Sequence, residues 1–483
     1  MSEPGLNAEA RARAREAGEL GGRLAGLSLR RQVLVLATWP FLEQILGFMV
    51  STVDLVLAGR MVAGTERIAI MDALGLGGYV AWLMMILQGA VGTGVMALVS
   101  RAAGARDQEL ATKGLVQGLL VGLGSGALSG LGIRLLLGLL VGNFGLSEVA
   151  EGHAMSYLNT LCWVCPVVGV MLAATYSLRA IGDTRTPFIA MVIVNLVNLV
   201  LSWLFVFGPE PFGGMGVQGL ALGTVSAWAV GMFVVLGFLY FRDCKAKDDG
   251  VELSLRGARL RPEWSMMKRI IRVGAPQSLE MFGMWAIHSV TLRFVSGLGV
   301  GTLGAHLIAI RVESLSFLPG LAIGTAGAAL VGQYLGAGNP RQAVQAVRMC
   351  WLYAAIFMSV LGVGFLLLPE VLVRFIVPGD GEDARLIVGL AGPLVFLCGV
   401  FQPVLATTLI MKSTLRGAGA TRLVMLYSFS SMILFRGIIV PIGVTQFGLE
   451  LRGIWVIMFI DVVVQAALFA RVHFQGKWVG VKV

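Results

Sequence analysis

Charge is what this chain has least of. Asp, Glu, Lys and Arg make up 13% of its 483 residues, against 57% hydrophobic. A water-soluble domain needs far more polar surface than that, so the soluble classes are excluded. Histidine is scarce, 4 in all, and no HExxH, paired zinc ligands or nucleophile elbow occurs, which argues against a metalloenzyme or a hydrolase. The 5 cysteines are scattered. Cys162 and Cys165 form a CxxC, but in an apolar stretch with no second pair, which reads as small apolar packing. Gly122-x-Gly124-x-Gly126 has no strand before it and no GK[ST] after it, so it reads as helix packing and not as a phosphate loop. No small-residue cleavage pattern follows the first apolar stretch, so no secretory signal is expected.

What the chain does have is apolar length. Its mean hydropathy is +0.84, and 65 glycines suit helices that approach closely in a membrane. Runs of about 20 residues with few charges are long enough to cross hydrocarbon. We read twelve spans, near 33–58, 68–99, 112–141, 153–178, 187–208, 216–241, 268–297, 304–334, 343–369, 387–414, 421–445 and 449–475. The net charge of +10 is distributed by topology. Basic residues gather before the first span (Arg11, Arg13, Arg15, Arg23, Arg30, Arg31) and in the second, fourth and sixth connections (Arg101, Arg106, Lys113; Arg179, Arg185; Arg242, Lys245, Lys247, Arg256, Arg259, Arg261). The alternate connections are basic-poor or acidic, with Glu148 and Glu151, or Asp380, Glu382 and Asp383. Basic residues mark the cytoplasmic side, so both termini are expected inside a plasma membrane, and no nucleic-acid partner is implied.

The second half repeats the first. Leu178-Arg179-Ala180-Ile181-Gly182-Asp183-Thr184-Arg185 answers Leu415-Arg416-Gly417-Ala418-Gly419-Ala420-Thr421-Arg422 at 415 − 178 = 237. Leu42-Glu43 answers Leu279-Glu280, and Val53-Asp54-Leu55 answers Val290-Thr291-Leu292. Ala97-Leu98-Val99 with Gly104-Ala105 answers Ala329-Leu330-Val331 with Gly336-Ala337 at 329 − 97 = 232. Each repeat holds six spans, so both run in one orientation, with a cavity expected between them. The expected plan is an all-α membrane protein of twelve transmembrane helices in two pseudo-symmetric six-helix bundles. It comprises a basic N-terminus (1–32), an N-lobe (33–241), a cytoplasmic linker (242–267), a C-lobe (268–475) and a short C-terminus (476–483).

Ionisable groups inside a membrane are costly and point to function. Asp54 lies on the first span beside Ser51 and Thr52, and is read as a carboxylate that trades between a proton, a metal cation and an organic cation. The alternative is an interfacial acid that reaches water. Glu43, eleven residues earlier, is about three turns and roughly 16 Å away on the same face. Asn195, Asn198 and Ser202 line one face of the fifth span, and Thr224 lies on the sixth. Ordinary inter-helix hydrogen bonding is the alternative for that stripe. In the second half, Glu280 follows Pro276 by four residues, and Glu313 shares a face with His306. Arg311 is a candidate to neutralise nearby acids, and Asp461 on the last span is open to either reading. Pro40 and Pro276 occupy repeat-related positions on first spans and are candidate hinges.

Val53-Asp54-Leu55…Ala58-Gly59, Arg101-x-x-Gly104-Ala105, Leu178-Arg179-x-x-Gly182-Asp183-Thr184-Arg185-x-Pro187, Gly274-Ala275-Pro276…Glu280, Glu313-Ser314-Leu315-Ser316-Phe317 and Gly332-Gln333-x-x-Gly336-Ala337 resemble, in order and spacing, the recurrent motifs of the multidrug and toxic compound extrusion (MATE) family. The resemblance covers nearly the whole chain. It implies two bundles around a V-shaped central cleft, and export of organic cations against a proton or sodium gradient. It places Asn198 and Thr224 with Asp54 in an N-lobe cation site, a possible sodium site. Ser202 stands where some members carry Asp, and Leu405–Leu409 holds no acid where some members pair Glu280 with Asp, so protons are favoured slightly. A monomer with no cofactor is expected. A flippase for lipid-linked sugar precursors, from the same wider superfamily, is the alternative. The intramembrane acids favour cationic ligands over a pyrophosphate headgroup.

Overall fold

The computed structural model describes residues 18–61, 65–142, 146–242, 250–377, 379 and 381–481. Of the topology markers above, Arg11, Arg13, Arg15, Lys245, Lys247 and Asp380 lie outside the described residues. Every long element is a helix: α1 (Leu29–Ala58), α2 (Thr65–Gly104), α3 (Gln108–Gly142), α4 (Glu148–Leu161), α5 (Val164–Ala180), α6 (Arg185–Phe207), α7 (Gly216–Phe241), α8 (Trp264–Ser296), α9 (Thr302–Gly336), α10 (Pro340–Leu367), α11 (Pro369–Ile376), α12 (Glu382–Gly417), α13 (Thr421–Met432), α14 (Val440–Phe447) and α15 (Leu451–Gln475). Among the described residues, ten helices are long and apolar enough to cross a membrane, or eleven spans when α4 and α5, bent by 46° at their junction, count as one. The remaining long helix, α8, has 33 residues but carries Gln277, Glu280 and His288 at its centre, and so falls short in hydropathy and not in length. The protein is therefore a multi-pass, all-helical membrane protein, and each expected span lies on a helix or helix pair whose ends differ from it by a few residues.

Three features were not anticipated. The fourth span is broken at Cys162–Trp163, α11 is an extra short helix, and the eleventh span carries a π-helical segment, Ile433–Ile439, between α13 and α14.

Local chemistry sets the helix ends. Ser147 accepts a hydrogen bond from the Ala150 amide at 3.3 Å, and Asn339 accepts from Gln342 at 3.1 Å with Pro340 following it, both N-cap arrangements. Gly448 and Gly476 adopt the left-handed conformation that ends α14 and α15.

The chain divides into two compact units. One contains Met1–Gly26, Thr38–Ser278 and Gly332–Gly338; the other contains Leu27–Ala37, Leu279–Val331 and Asn339–Val483. The division of α1 falls between Ala37 and Thr38, beside Pro40, and that of α8 between Ser278 and Leu279, just after Pro276.

In the first unit, glycines let backbones touch. A Cβ on Gly122 or Gly169 would collide with the carbonyl of the other, and one on Gly126 would strike the Cys165 carbonyl, so α3 and α5 cross at these positions. Gly124 meets nothing. Cys162 and Cys165 are free and buried, packed among apolar neighbours. Gly104 and Gly336 lie against the backbones of Gln333 and Arg101 respectively, which accounts for the small residues in both motifs. The Gln333 amide donates to the Ala180 carbonyl at 2.7 Å, satisfying the end of α5. Asp183, fully buried, caps α6 through the Thr186 amide and hydroxyl and binds Arg23 at 2.9 Å and Arg242 at 3.0 Å. The segments before α1 and after α7 are thus tied to this unit. In the second unit the apolar core gathers around Phe365, Val395, Ile454, Trp455 and Phe459, with Phe401 stacked on Phe459 at 4.5 Å.

Candidate cation-binding site

The first unit buries one carboxylate whose hydrogen-bond partners are all neutral. Asp54 sits on the last turns of α1 and is 4% exposed. Thr224 on α7 donates to its Oδ2 at 2.8 Å, Tyr157 on α4 reaches the same oxygen at 3.5 Å, and Asn198 and Ser202 on α6 reach Oδ1 at 3.5 Å. The Asn198 amide also bonds the Ser202 hydroxyl at 3.2 Å and the Thr224 hydroxyl at 3.1 Å.

The sequence builds this cluster by small residues at crossings. A Cβ on Gly223 would overlap Ser202, and one on Gly219 would press on Phe205, so the Gly219-x-x-x-Gly223 face brings α7 against α6 and sets Thr224 beside Asn198. Gly77 on α2 leaves room for the Tyr157 ring. Within the cluster the Asn198 Oδ1 atom is buried and has no hydrogen-bond partner among the described residues. An ionised carboxylate and an unsatisfied carbonyl, both out of water, are costly unless a proton or cation joins them. The Asn198 nitrogen faces the carboxylate, and the two carboxylate oxygens with the hydroxyls of Ser202, Thr224 and Tyr157 are oxygen donors of the kind that suits a hard cation.

The other expected residues lie elsewhere. Asn195 is half-buried and donates to the Met191 carbonyl at 2.9 Å, outside the Asp54 cluster. Glu43 does not extend a column of free acids from Asp54: Arg179 holds it at 2.6 Å, with the guanidinium also over the Tyr176 ring at 5.1 Å. Glu280, expected to exchange cations, is already compensated, by Arg416 at 2.9 Å and Lys412 at 3.6 Å. Each carboxylate faces the arginine at the end of the fourth span of its own repeat, at 179 − 43 = 136 and 416 − 280 = 136. Glu313 is half-buried on α9 and lies in the field of Arg436. Asp461 is bound by Arg436, at 2.7 Å.

Tyr157, Arg179, Lys412, Arg416 and Arg436 were not singled out from the sequence as partners of these acids. For Arg179 and Arg416 a signal existed, since the repeat offset pairs each with its glutamate. For Tyr157 and Arg436 none did, because a lone aromatic or basic residue in an apolar run carries no address.

A helical multi-pass protein with a polar core of this kind falls in the class of membrane transport folds, and comparison makes the assignment specific. The chain belongs to the MatE family, whose sequence profile matches residues 40–204 and 276–442. It is 29% identical over 454 residues to a probable multidrug resistance protein NorM of Thermotoga maritima, covering 93% of each chain. It is 25% identical over 401 residues to a probable NorM of Idiomarina loihiensis, covering 82% of each. Among solved structures it superposes, at a TM-score of 0.81 and 21% identity, on a multidrug resistance MATE family transporter of the MOP superfamily in an outward-facing conformation, covering 94% of this chain and 98% of that one. It matches a MATE structure in the bent conformation with a TM-score of 0.79.

Proposed function

We propose that this protein is a secondary active antiporter that exports organic cationic and amphipathic compounds in exchange for a cation entering at Asp54. The carrying observation is the buried carboxylate with only neutral partners and an orphan amide oxygen beside it. The names of the NorM relatives, multidrug resistance proteins, support the cargo class. Ionised, Asp54 attracts an organic cation; joined by a proton or sodium from outside, it loses that attraction and releases the drug. A ligand shifts a two-state carrier only through differential affinity, so competition for one carboxylate suffices for coupling. The single acid, with Ser202 in place of a second one, favours protons over sodium.

The basic connections orient the chain with both termini in the cytoplasm of a cell bounded by the membrane it spans, and the protein acts as a monomer. Pro40 and Pro276, adjoining the points where α1 and α8 are divided between the units, serve as hinges.

The test is uphill transport of a cationic dye by the purified protein in proteoliposomes, with a proton or a sodium gradient imposed one at a time. Dye accumulation on the proton gradient is expected. Transport that proceeds equally with neither gradient refutes antiport.

A further inference from the structure

The repeat offset that relates Glu43 to Glu280 also relates the polar cores, with one exchange. Asp54 corresponds to Thr291, since 291 − 54 = 237, and Thr224 corresponds to Asp461, since 461 − 224 = 237. Acid and hydroxyl have changed places between the first and the sixth helix of the repeat. Asp461 is fully out of water, and Asp54 nearly so. Its Oδ1 accepts from Ser431 at 2.5 Å and from Gln465 at 2.7 Å, and its Oδ2 accepts from Arg436 at 2.7 Å.

Arg436 lies within the π-helical segment Ile433–Ile439. A π turn is closed by an i→i+5 bond and so holds one residue more than an α turn. Removing that residue puts Arg436 at the register of Asn198, since 436 − 1 − 198 = 237. In the first half this position presents an amide with an unpartnered oxygen; in the second it presents a cation that is already bound.

We infer that the core of the second half is a cation site permanently filled by the Arg436 guanidinium. The inference rests on reading the Asp54 core as a cation site. The site is built for one positive charge: Asp461 anchors it, Ser431 and Gln465 complete the carboxylate's hydrogen bonds, and Glu313 on α9 lies in the field of the same guanidinium. His288 and His306 also feel Arg436, and His306 is fixed by a 2.9 Å hydrogen bond from the Trp455 indole. Lys412 is within the field of both Asp461 and Arg436 and is engaged with Glu280. With the guanidinium tethered, this half holds its charge throughout the cycle and leaves ion exchange to Asp54. Without it, the vacated pocket takes a small monovalent cation of guanidinium type.

Thermal unfolding of the full-length protein in detergent tests this, with methylguanidinium as the probe and choline at equal ionic strength as the control. Arg436→Ala is expected to lower Tm, methylguanidinium to raise it again saturably, and choline to leave it unchanged. Wild type and the R436A/D461N double variant are expected to show no such rise. Arg436→Gln, which keeps most of the side chain, carries the same test if the alanine variant does not fold. A Tm that methylguanidinium leaves unmoved in the variant that folds overturns the inference. So does a rise of equal size in the double variant. The rise is expected to persist when Asp54→Asn is added, so failure of Asp54 as the coupling residue leaves this result standing.

Discussion

In the first half, Asp54 is surrounded by Thr224, Asn198, Ser202 and Tyr157, all neutral. In the second half, Asp461 is held by Arg436, and Glu280 by Arg416 and Lys412. The two halves share a repeat, an ion pair between the first helix and the arginine that closes the repeat's fourth span, and a buried carboxylate in the polar core. They differ in whether the core carboxylate brings its own cation. The lesson is that the number of intramembrane acids does not measure the number of exchange sites. An acid with a tethered partner is structural, because separating the pair would leave two uncompensated charges in a low-dielectric interior. An acid with none is the one that must recruit a partner from solution.

The largest effect expected on stability comes from removing one member of a closed pair. Glu280→Gln removes the carboxylate that Arg416 and Lys412 share, leaving Lys412 only the Phe469 ring and the more distant Asp461, and a loss of about 3–5 kcal/mol is expected, measured by thermal or denaturant unfolding in detergent. Glu43→Gln should cost less, because it strands one basic partner, Arg179, where Glu280→Gln strands two. Removing both charges, in E280Q/R416Q or E43Q/R179Q, should recover part of each loss. A smaller loss in Glu280→Gln than in Glu43→Gln would contradict the view that the second half is the more tightly compensated one.

The sequence made the frame legible because its signals are collective. Hydropathy over about 20 residues, the alternation of basic connections and a repeat at one offset each average over many residues. What it did not show depends on single contacts. The break at Cys162–Trp163 is announced only by Pro166 in the first turn of α5, whose missing N–H leaves the Cys162 carbonyl without its i+4 donor, a single residue inside an apolar run. The π segment at Ile433–Ile439 keeps the apolar character of its span and only shifts the register. Asp54, Asn198 and Thr224 were legible as a set, and the structure gathers them. The pairing of Glu280 had only the matched offset of Arg416 as a signal, and Lys412 read as a residue at the end of a span until the fold placed it opposite the acid.

A more moderate effect is expected from making the first core resemble a two-acid site. Ser202→Asp places a second carboxylate beside Asp54 Oδ1 and should shift coupling toward sodium. The measurement is the sodium dependence of dye efflux in proteoliposomes, which should become stronger than in wild type. No gain in sodium dependence in a folded Ser202→Asp protein would show that the number of acids in this core does not select the ion.

The smallest effect sought is kinetic. Pro40 interrupts the hydrogen bonding of α1 beside the point where that helix is divided between the units. Pro40→Ala should slow turnover more than it weakens drug binding, read as a fall in efflux rate at unchanged dye affinity. Unchanged turnover at normal expression would remove the hinge from the account.

The most direct test of the central claim is uphill dye transport by Asp54→Asn, purified, shown to be folded and reconstituted beside wild type. Asn keeps the size of the side chain and its hydrogen bonding but cannot carry the charge. The account predicts that the variant still equilibrates dye at most, with accumulation against a gradient abolished for both proton and sodium driving forces. Accumulation at the wild-type level on either gradient would contradict it, and would mean that the exchanging carboxylate lies elsewhere.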